Sequence, residues 1–171
     1  MSSPTPPMPL DFEPADHLIV TAVGTVAERS FFAFVDPYYD EADLDDDREW
    51  VVATVRFEDG PLSGSLACTV RSDLALLLFD AFSGRDPAGP LPPRHLLDDL
   101  IGEFSNMVCG TWLTRCGGCR TFKLNSPVVA HVTRPPEDER HRHWMALNHR
   151  PLAIDWDLVH GEAQQPDSAP W

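Results

Sequence analysis

Asp99, Glu103, Asn106 and Gly110 recur at four-, three- and four-residue intervals in the segment Asp99-Leu-Ile-Gly-Glu103-Phe-Ser-Asn106-Met-Val-Cys-Gly110. At about 100° per residue they fall in one narrow helical stripe. Leu97, Leu100, Ile101, Phe104, Met107 and Val108 collect on a different face, suited to a core. A carboxylate and a carboxamide one turn apart, beside a glycine that lets another surface come close, have the makings of a site. An ordinary solvated helix face has the same pattern, so the rest of the chain has to decide.

Other chemistry-bearing residues are less organised. Cys116-Gly-Gly-Cys119 has the spacing of a zinc or redox pair, but structural zinc takes four ligands and one Cys-x-x-Cys supplies two. Cys109 precedes Cys116 by two turns, and His131, His141 and His143 follow. A metal- or thiol-dependent sensor built on Cys116 and Cys119 therefore stands as an alternative. Cys68, in a strand pattern, reads as a small core residue. The run Arg140-His-Arg-His-Trp144 reads as a charged loop entering a strand. The sequence holds neither a Gly-rich phosphate loop of the Walker type nor a supportable Ser-His-Asp arrangement. Trp50, Trp112, Trp144 and Trp156 are spaced as core or interface residues, not as a stacking set for bases.

Composition narrows the function classes. The net charge of −14 argues against binding a phosphate backbone, which relies on clustered Lys and Arg, and against an anionic membrane surface. A protein partner remains compatible. No segment reaches the roughly 18 consecutive apolar residues of a membrane span. The start, Met1-Ser-Ser-Pro-Thr-Pro-Pro-Met-Pro-Leu10, lacks the basic and apolar parts of a signal peptide. The expectation is a cytoplasmic protein whose four cysteines are thiols. With 171 residues, 43% of them hydrophobic, one domain is expected.

The stripe must be positioned by the elements around it. Residues 1–13 form a Pro-rich, disordered tail, 14–160 the domain and 161–171 a polar tail. Asp16–Phe34 reads as a helix capped by Asp16, although its β-branched residues weaken that reading. An acidic loop runs to Glu49. Strand patterns at Trp50–Phe57 and Gly64–Val70 flank a turn at Glu58–Leu62. Ser72–Phe82 reads as a short buried helix ended by Gly84, and Arg85–Pro93 as a linker. The helix bearing the stripe spans about Arg94–Leu113. Strands follow at Thr121–Asn125 and Val128–Thr133. A charged loop at Pro135–His143 then leads to a hairpin of Trp144–Leu147 and Leu152–Leu158, joined by Asn148-His-Arg-Pro151. In its second strand Leu152, Ile154, Trp156 and Leu158 alternate with Ala153, Asp155 and Asp157, the pattern of a half-buried strand. The predicted fold is α+β: two helix-plus-strands halves, with an antiparallel sheet covered on one side by two long helices. Gly24, Glu28 and Phe31 sit at helical offsets like those of Asp99, Glu103 and Asn106, a faint trace of duplication.

On these residues the chain resembles the CheC/CheX/FliY-type chemotaxis phosphatases, nearest their single-site CheX-like branch. That family's signature is Asp or Ser, three residues, Glu, two residues, Asn, and a Pro about two dozen residues on. Asp99-x3-Glu103-x2-Asn106 matches it, with Met107, Val108 and Gly110 following, and then Phe122-Lys-Leu-Asn-Ser-Pro127-Val-Val. The spacing to Pro127 is slightly short, a difference that falls in the Gly-Gly loop, where length is tolerated. The resemblance covers about residues 15–160. It implies a phosphatase that adds an acid and an amide to the active site of a phosphorylated CheY-like receiver domain in two-component signalling. Asn106 would orient the attacking water, Glu103 would engage a receiver lysine, and Asp99 and Gly110 would serve accessory and docking roles. The divalent metal, Mg, would come with the receiver, so the chain needs no cofactor of its own. Homodimers occur in the family. A silent interaction or dimerising module of the same fold is the runner-up. Phe31 stands where the first half would need an amide, so one active site is expected, with Phe31 in packing.

Overall fold

Helical periodicity becomes helix in three places: α1 (Ala15–Phe31), α2 (Ser72–Ser83) and α3 (Arg94–Cys116). The computed structural model describes residues 15–36, 48–60, 62–116, 120–137 and 141–160. Both predicted tails, most of the acidic loop, Arg140 and Cys119 lie outside these residues. The β-branched residues of α1 do not prevent a helix, because Ile19, Ala22, Val23, Val26 and Ala27 are buried along one side. Tertiary burial outweighs the few tenths of a kcal/mol that each β-branched residue costs a helix. Asp16 lies inside the first turn rather than before it.

Seven strands, β1 (Val35–Asp36), β2 (Trp50–Asp59), β3 (Leu62–Arg71), β4 (Lys123–Leu124), β5 (Val128–Val132), β6 (His141–Leu147) and β7 (Arg150–His160), form one antiparallel sheet. Their order is β1-β6-β7-β3-β2-β4, with β5 also paired to β2. Exchanging α1-β1-β2-β3 for α3-β4-β6-β7 turns this order into its own reverse, so the two halves are related by a pseudo-two-fold. Each half lends its first short strand to the other half's hairpin: Val35 pairs with Leu147, and Leu124 with Phe57. The second hairpin is tighter than its sequence suggests. Leu147 pairs with Arg150, leaving only Asn148 (φ 46°) and His149 (φ 64°) as the turn. Positive φ at both central residues is the geometry that matches strand twist. Asn148 Oδ1 accepts the Phe34 N–H at 2.9 Å, and this fixes the turn.

One sheet face packs under α1 and α3. Trp112 of α3 meets Phe57 edge-on at 6.0 Å and Trp156 at 5.4 Å. Phe31 and Phe104 join the helices, edge to face, with centroids 5.3 Å apart. Since Phe31 meets Phe104 while Thr25 meets Arg115, α1 and α3 run antiparallel.

The opposite face corrects the half-buried reading of β7. Asp155 is 1% exposed rather than solvated. Its register partner Arg142 holds the carboxylate with two bonds, of 2.6 and 3.0 Å, donates to the Pro136 carbonyl, and lies over the Trp144 ring. This pairing also explains why β6 starts at His141 and not at Trp144, as predicted. A second arginine cluster fixes α2. Asp73, in its first turn, takes Arg71 at 2.8 Å, Arg48 at 2.8 Å and Arg150 at 3.3 Å. Burial pushes the Asp73 carboxyl up, but the Arg71 hydrogen bond and the charges of Arg71, Arg48 and Arg150 more than offset it and hold it below the usual range.

Candidate functional site

The stripe lies on the outer side of α3. Asp99 and Glu103 are exposed and Asn106 and Gly110 half-buried, while Leu100, Ile101, Phe104 and Val108 are buried on the sheet side. Ser105, between Glu103 and Asn106, points inward and donates to the Ala53 carbonyl at 2.8 Å. That bond fixes the rotation of α3 against β2, and with it the outward direction of its neighbours. Among the described residues, Asp99, Glu103 and Asn106 make no side-chain hydrogen bond or ion pair. None of their bonding capacity is taken up by the described residues.

Asp98, Asp99, Gly102 and Glu103 line a cleft of about 350 Å3 whose opposite wall is Pro127 and Val129. Gly102 faces this wall directly: a Cβ there would stand 3.4 Å from Pro127 Cβ and 3.6 Å from Val129 Cγ2, in ordinary van der Waals contact. The sequence reading gave Gly110 the role of clearance for another surface, and a Cβ at Gly110 would meet nothing of this chain within 4 Å. Gly110 therefore leaves open surface, and Gly102, against the cleft wall, is the residue that the sequence reading missed. No pattern within α3 could reveal it, since its partners lie on β5 and just before it.

Asp98, next to Asp99, has a different task. Its Oδ1 lies 2.7 Å from His131 Nε2, and His131 Nδ1 lies 3.2 Å from Glu49 Oε2. Arg94 bonds Glu49 at 2.6 Å and stands 3.1 Å from His131 Nε2. These four residues tie the start of α3 to β5 and to the residue just before β2, next to the Pro127 wall beside Glu103. They come from positions 49, 94, 98 and 131, which no local motif joins.

The first half carries a matching cleft. Gly24, Glu28 and Val35 line a cavity of about 410 Å3, with Glu28 exposed as Glu103 is. Phe31, at the place of Asn106, is buried at 1% exposure. As expected from its type, it packs rather than facing outward.

The cysteines take little part. Burial pushes the Cys68 thiol up to about 12, offset in part by a hydrogen bond with Ser105 and reinforced by Asp155, and drives Cys109 higher still. Burial likewise raises Cys116 to about 11, away from a reactive thiolate. Cys119 lies outside the described residues. Among those residues, no group of three His, Cys, Asp or Glu side chains is placed to hold a metal. Among the described residues, no helix is long and apolar enough to cross a membrane.

No protein-family model matches the sequence, and no curated protein matches it significantly. Solved structures do match. The chemotaxis protein CheX from Vibrio vulnificus aligns over 83% of this chain and 94% of its own, with a TM-score of 0.64 and 20% identity. The fold is that of CheX. A CheC-like superfamily protein from Shewanella sp. PV-4 covers 88% of this chain and 99% of its own, at a TM-score of 0.63 and 18% identity. CheX of Borrelia burgdorferi, in its complex with CheY, BeF3 and Mg2+, covers 88% and 99%, at a TM-score of 0.55 and 9% identity. In the CheX-like fold of this chain, the outer side of α3 carries the acid and the amide, and Pro127, just before β5, with Val129 of β5, forms the facing wall.

Proposed function

We propose that the chain is a CheX-type phosphatase that hydrolyses the phospho-aspartate of a CheY-like receiver domain in chemotaxis or related two-component signalling. One observation carries this reading: Glu103 and Asn106 stand one turn apart on the outer side of α3, beside the Pro127 cleft, and no partner among the described residues competes for either side chain. The Borrelia CheX complex with CheY supports the choice of partner.

In this reading the receiver brings the phosphoryl group and the divalent metal. Glu103 pairs with a receiver lysine and sets the depth of docking. The Asn106 carboxamide donates to or accepts from one water and aligns it with the phosphorus, and its neutrality avoids repelling the phosphoryl oxygens. Positioning one water is a sufficient role, because phosphoryl transfer depends chiefly on alignment and electrostatics. Asp99 adds negative charge to the Glu103 end of the cleft. Only α3 carries the amide, so each chain holds one site. The test mixes the protein with an acyl-phosphorylated cognate receiver and follows phosphate release. Acceleration by the wild type is expected; its absence would leave the silent-module reading in place.

A further inference from the structure

The outer surface of the α1–α3 pair is polarised in charge along α3. Asp98, Asp99 and Glu103 line the cleft on one side of Asn106. On the other side the sign reverses. Arg29 of α1 and Arg115 of α3, with Thr25, Thr111, Thr114 and Gly110, line an open groove of about 510 Å3 between the helices. Arg115 Nη2 reaches Thr25 Oγ1 at 3.2 Å, spanning the groove.

Most described arginines of this chain are held by carboxylates, and Arg29 and Arg115, like Arg56 and Arg134, are not among them. Arg48 and Arg71 pair with Asp73, Arg85 with Asp80, Arg94 with Glu49 and Arg142 with Asp155. Arg29 and Arg115 meet no carboxylate among the described residues, although the net charge is −14. Both are exposed, and the floor at Gly110 is open. Arg115 lies roughly 13 Å beyond Asn106 along the helix axis, within the footprint of one docked domain.

We propose that this groove is a second docking contact for the phosphorylated receiver, taking a carboxylate-rich segment that flanks its phospho-aspartate. The inference rests on the phosphatase reading. A phospho-aspartate is ringed by metal-binding carboxylates, so the surface beside it is acidic. Guanidinium forks bind carboxylates in pairs of bonds, and the Thr111 hydroxyl adds a donor, those of Thr25 and Thr114 being given to the Thr21 and Gly110 carbonyls. With a receiver lysine drawn to Glu103 and receiver carboxylates drawn to Arg29 and Arg115, only one orientation places the phosphoryl group at Asn106. Complementary charge of this kind governs approach and register more than raw affinity.

The test measures steady-state dephosphorylation of the receiver across a salt series for the wild type, Arg29→Glu/Arg115→Glu and Arg29→Lys/Arg115→Lys. The reversal is expected to raise KM about tenfold and to flatten its salt dependence, with kcat within about twofold and the lysine pair restoring much of the KM. An active wild type whose reversal variant keeps its KM and salt dependence overturns the groove but not the phosphatase. Binding of beryllofluoride-loaded receiver separates the remaining cases. Binding without catalysis, weakened by the reversal, keeps the groove and overturns the catalytic reading. Neither binding nor catalysis by the wild type overturns both.

Discussion

Gly102 of α3 and Pro127, just before β5, are in van der Waals contact range, with only 3.4 Å between an added Cβ and the proline Cβ. This contact sets the width of the cleft beside Glu103. It also makes the site depend on the size of one residue that is absent from the acid–amide motif.

Gly102→Ala fits the available space and improves helix propensity, so it is expected to leave stability unchanged or raise it by up to about 1 kcal/mol. Gly102→Val is expected to push Pro127 and Val129 away and to cost about 1–3 kcal/mol. Thermal melts of the two variants check this, and phosphate release should fall only in the valine variant.

Phe31 occupies the α1 position that corresponds to Asn106, and its ring is buried against Phe104. Phe31→Asn is expected to cost about 3–5 kcal/mol, through the lost ring and a buried amide left unpaired. It should create no second active site, even though Glu28 already faces the adjoining cleft. Melting temperature and kcat per chain check both parts.

How far the fold was legible in the sequence follows from which signals are local. The apolar periodicities placed α2 and α3 to within a few residues, and Glu103 and Asn106 share a face because one turn of helix separates them. The strands failed where long-range pairing decides. β1 is two residues long and is defined by Leu147 and Ala146 opposite it. Pro151 reads as a turn residue yet pairs within β7, and Asn148-His149 takes a positive-φ turn without glycine. His141–His143 reads as loop because its charges look solvated, whereas Arg142 satisfies a buried Asp155. The brace at Glu49, Arg94, Asp98 and His131 was hidden for the same reason.

Asp73 makes acid stability testable. Its carboxyl is held below the ordinary value of about 3.9. Its stabilisation is therefore complete above that value and is lost as pH falls through the folded-state value. Asp73→Asn is expected to lower stability at pH 7 by about 1–2 kcal/mol. Below about pH 4 the difference from the wild type should shrink, as the native carboxyl also becomes neutral. Denaturant melts across pH check the convergence.

The central claim is that Asn106 orients the attacking water while Glu103 secures the partner. The most direct measurement is phosphate release from an acyl-phosphorylated cognate receiver at substoichiometric enzyme, comparing the wild type with Asn106→Ala and Glu103→Ala. The wild type is expected to shorten the lifetime of the phospho-aspartate, and Asn106→Ala to lower kcat about 10- to 100-fold with KM little changed. Glu103→Ala should act mainly through KM. Acceleration that survives both substitutions would contradict the assignment of this site.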